Sequence, residues 1–120
     1  MKNAGIQTRA EYLEGLRDDR KIWTRGARVK DVTAEPSIQG GIASLASFLD
    51  RQHEETYRDK VTFLNKDSIR CAKSHMVPKS KTDVLQRGRA FYEWATWSNG
   101  MFIQTPDYKN ASVMAFAHAP

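Results

Sequence analysis

A single cysteine, four prolines and the absence of any long apolar run set the first limits on this 120-residue chain. Cys71 cannot close an internal disulfide, which excludes a disulfide-stapled secreted scaffold and fits a reducing, cytoplasmic setting. The seven glycines are scattered, and no Pro, Gly or Ser tract is long enough to act as an interdomain linker. Nothing approaches the roughly eighteen consecutive apolar residues needed to cross a bilayer, and Met1 to Gly5 lacks the apolar core of a signal peptide, so a soluble, unexported protein is expected. There is no Gly-rich phosphate loop, no Gly-x-Ser-x-Gly elbow and no EF-hand, and hence no self-contained catalytic kit. Cys71 and His75 lie four apart, but His53 and His118 are remote, so no metal site is expected. Cys71 reads as a structural thiol.

What is present suffices for a folded domain. Hydrophobic residues make up 40% and charged residues 28%, and the twelve aromatics exclude a disordered tail. A chain of this length buries roughly two thirds of its unfolded surface. The net charge is +5, which raises the question of an anionic partner. From Arg58 to Lys81 seven basic residues stand against two acidic ones, so the excess sits in the middle of the chain. Nucleic-acid binding through Lys60, Lys66, Arg70, Lys73, Lys79 and Lys81 beside Phe63 is one reading, but no RNP-like or helix-turn-helix pattern accompanies them. A solvated surface is the simpler one.

The periodicities describe a mainly helical chain with a small β-hairpin. Thr8 and Glu11 form a capping-box pattern ahead of a short helix from about Arg9 to Arg17, and Gly26 between Trp23 and Arg28 marks a hairpin turn. Ile42, Leu45, Ala46, Leu49 and His53 predict a second helix from about Ile38 to Glu54. Val61–Leu64 and Ile69–Ala72 are short apolar runs compatible with strands. Ser80 and Asp83 open a third helix that Gly100 ends. Its two stripes, Val84–Gly88–Phe91–Ala95–Asn99 and Ala90–Trp94–Trp97–Met101, call for burial nearly all round in its later half, with Trp94 and Trp97 reading as core. Thr105, Pro106 and Asp107 start a fourth helix, apolar from Ala111 to Ala119 except for Ser112 and His118. Apolar faces this extensive in so short a chain need another domain or subunit to cover them, so a truncated piece of a larger protein is expected.

Two blocks carry a resemblance. The first is Glu11, Tyr12, Leu13, Leu16, Asp18, Arg20, Ile22, Trp23 and Gly26, continuing as Arg28-Val29-Lys30-Asp31-Val32-Thr33 and Pro36; the second is Glu93, Trp94 and Gly100, then Thr105-Pro106-Asp107-Tyr108-Lys109. In both, the chain resembles the oxygenase component of the two-component 4-hydroxyphenylacetate 3-monooxygenase family. A more distant branch, the 4-hydroxybutyryl-CoA dehydratases, needs a cysteine pair for an iron–sulfur cluster, and no cysteine follows Cys71.

The resemblance implies the N-terminal helical domain (residues 1–120) of an acyl-CoA-dehydrogenase-like flavin monooxygenase, without the β-barrel and C-terminal helical-bundle domains of a whole family member. It also implies FAD, delivered as FADH2 by a separate flavin reductase, O2 as co-substrate, and hydroxylation of a 4-hydroxyphenylacetate-like phenol ortho to its hydroxyl by a cytoplasmic homotetramer. The family's substrate pocket draws an arginine and a tyrosine from an Arg-Thr-Pro-Asp-Tyr segment. Here these positions are Gln104 and Tyr108, so Tyr108 is expected as the catalytic and substrate-binding phenol and Gln104 as a substrate-binding amide. The flavin-binding residues are unassigned. Two other readings stand beside this one: a stand-alone basic helical module binding an anionic partner, and a non-catalytic paralogue.

Overall fold

The computed structural model describes residues 5–100 and 107–119. The chain divides into two compact units, residues 7–50 and a second made of residue 51 onward together with the N-terminal residues up to Ile6.

The first unit is organised by turns whose side chains satisfy free backbone groups. Thr8 caps α1 (Arg9–Gly15) with both halves of the expected capping box: its hydroxyl accepts from the Glu11 N–H at 3.2 Å, and the Glu11 carboxylate accepts from the Thr8 N–H at 2.8 Å. β1 (Trp23–Thr24) and β2 (Ala27–Arg28) pair antiparallel, Trp23 opposite Arg28. Arg25 and Gly26 between them both have positive φ, 49° and 79°, as a two-residue turn of the primed type requires. The Asp31 carboxylate accepts from the N–H and hydroxyl of Thr33, closing the next turn. α2 (Gln39–Arg51) follows, and its Asp50 carboxylate accepts from the Arg9 N–H at 2.9 Å, tying the end of α2 to the start of α1. Ala46 and Phe48 are its buried residues, the latter outside the stripe that the spacing marks.

The second unit holds the larger core. A separate helix, α3 (Glu55–Val61), occupies residues where the sequence shows only a charged tail to α2. The expected end of α2 at Glu54 is thus corrected to Arg51: Glu54 is extended, with φ −66° and ψ 135°, and the chain starts a new helix after it. Only Tyr57 and Val61 supply an apolar i, i+4 pair in α3, too little for a periodic signal.

β3 (Thr62–Leu64) and β4 (Arg70–Ala72) form a second hairpin, Phe63 opposite Cys71, so both short apolar runs supply strands, each without its first residue: Val61 ends α3 and Ile69 precedes β4. Its turn is built by the Asn65 side chain, which accepts from the N–H groups of Asp67 and Ile69, each at 2.9 Å. Ile6 N–H donates to the Arg70 carbonyl at 3.0 Å, and a Cβ on Gly5 would come within 2.8 Å of that same oxygen, so only glycine fits there.

A single 3-10 turn, η1 (Lys73–His75), leads to α4 (Lys81–Trp97). Ser80 caps α4 by accepting from the Asp83 N–H at 3.2 Å. At the other end Asn99 and Gly100 take positive φ and the Gly100 N–H donates back to the Ala95 carbonyl at 2.8 Å, which makes Gly100 the stop that the sequence predicts.

α4 packs on α3 and η1, and the first turn of α5 (Asp107–Ala117) follows the undescribed residues. Among the described residues, Val61, Met76, Ala90 and Trp94 are the buried apolar residues of this unit. Trp97 packs against Trp94 with the rings tilted by 60° and their centroids 5.2 Å apart, and meets Tyr57 edge-on at 5.0 Å, with the Arg51 guanidinium 5.4 Å from its ring. Of one expected stripe of α4, Ala90 and Trp94 are core and Trp97 is half-buried, while Met101 lies outside the described residues. The other is split: Phe91 and Ala95 are half-buried, while Val84 and Gly88 face outward with Leu85 and Tyr92.

Candidate functional site

The expected site centres on the start of α5. Tyr108 falls in the first turn of that helix, whereas Gln104 lies outside the described residues, as does Pro106 at the expected helix start. One hydrogen bond fixes this end of α5: the Asn110 amide donates to the Ser74 hydroxyl at 3.1 Å, and Ser74 is buried within η1. α5 accordingly packs on η1. Neither Asn110 nor Ser74 carries any signal in the sequence, because residues 36 apart announce no contact through spacing. Further along, Val113 and Phe116 are exposed, the latter at 82%, so the apolar second half of α5 is uncovered by the described residues.

The first motif block converges on a groove of about 270 Å³ in the other unit, lined by Asp18, Arg20, Ile22 and the Val29–Val32 run. Its charges answer one another. Arg20 Nε and Nη2 each donate to an Asp18 carboxylate oxygen at 2.6 Å, a two-pronged pairing, and Arg17 Nε lies 3.9 Å from Asp31. Hydrogen bonds from the Arg20 side chain and N–H pull the Asp18 carboxyl down to about 2, while the pair raises Arg20. This block therefore shapes the hairpin and the turn that follows it.

A depressed folded-state value means that the pair's contribution is complete above the ordinary carboxylate range, near ~4, and is lost only as the pH falls through about 2. Because both side chains are partly exposed, the effect on stability is small, but the titration is measurable. A carbon-detected NMR titration should place the Asp18 midpoint near 2, and Arg20→Gln should return it towards ~3.9. A midpoint that ignored this substitution would show that Arg20 is not its cause.

The remaining candidates have structural surroundings. Cys71 is half-buried, its thiol lies 3.6 Å from the Ile69 carbonyl, and burial pushes its pKa up, opposite to what a nucleophilic thiolate needs. Among the described residues no three His, Cys, Asp or Glu side chains gather as a metal would require. The basic middle segment is broken up by pairing: Lys60 meets Glu93 at 3.4 Å, Arg70 meets Asp59 at 3.1 Å, and Lys73 turns inward. A continuous cationic face for nucleic acid is not formed from these three. No described helix is long and apolar enough to cross a membrane.

Comparison with known proteins bears directly on the two sequence blocks. Residues 8–120 match the family described as 4-hydroxyphenylacetate 3-hydroxylase N terminal. The chain belongs to this family. Its relatives in the 4-hydroxyphenylacetate 3-hydroxylase family include the 4-hydroxyphenylacetate 3-monooxygenase oxygenase component of Thermus thermophilus, 38% identical over 112 residues that span 92% of this chain and 23% of the relative. The Escherichia coli oxygenase component is 36% identical over 116 residues, 94% of this chain and 22% of the relative. A crystal structure of such an oxygenase component complexed with FAD and 4-hydroxyphenylacetate superposes with a TM-score of 0.86 at 38% identity, covering 92% of this chain and 23% of that one. The chain thus has the mainly helical fold of the N-terminal region of these oxygenases and spans about a quarter of their length.

Proposed function

We propose that this chain is the N-terminal helical domain of the oxygenase component of a two-component aromatic hydroxylase acting on a phenol of the 4-hydroxyphenylacetate type. The observation that carries the reading is the match across residues 8–120, which includes the uninterrupted Thr105-Pro106-Asp107-Tyr108-Lys109. On this reading a separate flavin reductase supplies FADH2, O2 is the second substrate, and the whole oxygenase is a cytoplasmic homotetramer with barrel and helical-bundle domains beyond this region.

The groove beside the first hairpin does not by itself fit a flavin. That groove, of about 270 Å³, is walled by Arg17, Asp18, Arg20, Lys30 and Asp31 and not by the flat apolar surfaces that a three-ring system stacks on. We assign the flavin contacts to other parts of the full-length oxygenase.

What this chain contributes is the handling of the phenol. Hydroxylation ortho to a phenolic oxygen is favoured when negative charge builds on that oxygen, because its lone pairs then feed the ortho carbon. Donors aimed at the oxygen both orient the ring and stabilise that charge. We assign these roles to the Tyr108 hydroxyl and the Gln104 amide. Gln104 donates a neutral hydrogen bond where the family has a charged, two-pronged arginine, which weakens the hold on a phenolate by ~1–2 kcal/mol and shifts preference towards phenols that need less charge stabilisation.

The product of the complete reading frame, supplied with a flavin reductase and NADH, should show oxygen uptake that depends on an added phenol and yields the matching catechol. No product from any member of a panel of para-substituted phenols would overturn the enzymatic reading and favour a non-catalytic paralogue.

A further inference from the structure

A second groove, of about 350 Å³, lies where α3, η1 and α4 meet, and its charges do not balance locally. Three cations line it, Lys60, Lys73 and Arg89, together with the carboxylates of Asp59 and Glu93. Both carboxylates are engaged: Glu93 holds Lys60 at 3.4 Å, and Asp59 holds Arg70 at 3.1 Å with Arg58 at 3.6 Å. Among the described residues Arg89 is left over, and Lys73 feels the Asp59 carboxylate only at longer range, without a direct ion pair.

Lys73 is the unusual one. It is only 7% exposed, yet among the described residues its ammonium makes one hydrogen bond, to the Asp59 backbone carbonyl at 2.7 Å, and an ammonium carries three donors. A lysine this buried is normally paired with a carboxylate, because an unpaired charge is costly to desolvate. Burial pushes its pKa down, and the Asp59 carboxylate pulls it partly back up. Arg89 makes no hydrogen bond or ion pair with another described residue, and the Gln86 amide and Tyr92 hydroxyl on the same wall are equally unengaged among the described residues. Among the described residues, two cations with unfilled donors, Lys73 partly balanced by Asp59, and two neutral donors therefore border one cavity.

We propose that this groove is an anion-binding site that takes a single oxyanion group, a phosphoryl or a carboxylate, between Lys73 and Arg89. The group completes the unmet donors of Lys73 and gives Arg89 a two-pronged acceptor. It comes either from a small dissolved molecule or from an acidic side chain elsewhere in the longer oxygenase. The site shares no residue with the proposed phenol site, so it stands or falls separately from that assignment.

Inorganic phosphate titrated into the 120-residue chain near physiological ionic strength, followed by NMR, should shift the Gln86 side-chain amide saturably and raise the thermal midpoint. Arg89→Gln, which alters an exposed side chain, and Lys73→Met, which keeps length and apolar volume, should each weaken phosphate by about tenfold or more. Lys81→Gln, on the same helix outside the groove, should leave the affinity within about twofold. No saturable shift, or equal weakening by all three substitutions, overturns the site. The same titration of the full-length product separates the sources: retained phosphate binding identifies a dissolved ligand, and a response confined to the 120-residue chain identifies an internal carboxylate.

Discussion

Replacing Tyr108 by phenylalanine in the full-length oxygenase should lower the rate of phenol hydroxylation by about tenfold to a hundredfold, the equivalent of ~1.5–3 kcal/mol for a hydrogen bond to a charged oxygen. The change removes one hydroxyl and no ring surface, so folding should be unaffected and the thermal midpoint serves as the control. If the hydroxyl bonds the phenol equally before and during reaction, the loss appears in KM. If the bond strengthens as charge grows on the substrate oxygen, the loss falls on kcat, and the latter is expected here. Gln104→Arg should act in the opposite direction, improving kcat/KM most for the phenols that ionise least readily, because it restores a charged donor at the other position facing that oxygen. Unchanged kinetics in Tyr108→Phe would remove Tyr108 from its assigned role whatever the identity of the substrate.

The parts of this fold that can be read from the sequence are those with local causes. Thr8 with Glu11, Ser80 with Asp83, and Gly100 at the end of α4 each solve a backbone problem within a few residues, and each stands where the spacing indicates. The Gly26 hairpin is similarly local. Features made by distant residues left no such trace. Asn110 reaches Ser74 across 36 positions, the ammonium of Lys73 is buried against a carbonyl 14 positions away, and α3 owes its existence to packing on α4 rather than to its own charged sequence. The candidate phenol site is different in kind: no spacing argument points to Tyr108, and only resemblance across a whole motif does, since a capped helix start has many uses.

Trp94→Ala should be the most damaging single change to the second unit, costing ~3–5 kcal/mol. Trp94 is 2% exposed, packs 5.2 Å from Trp97, and through that ring is connected to Tyr57 on α3, so its removal opens a cavity exactly where α3 and α4 are joined. Against the ~5–15 kcal/mol that holds a typical domain together, such a loss lowers the thermal midpoint by ~12 °C or more. Tyr92, two residues earlier on the same helix and 72% exposed, gives the contrast: Tyr92→Ala should stay within ~0.5 kcal/mol of the parent. The sequence marks the whole later half of α4 as apolar and does not distinguish these two aromatic rings. A turn of about 200° between positions two apart does, because it sends one side chain into the core and the other to the surface. Thermal unfolding followed by near-ultraviolet circular dichroism, which reports directly on tryptophan packing, measures both variants, and comparable losses at the two positions would mean that Trp94 is not what holds α3 and α4 together.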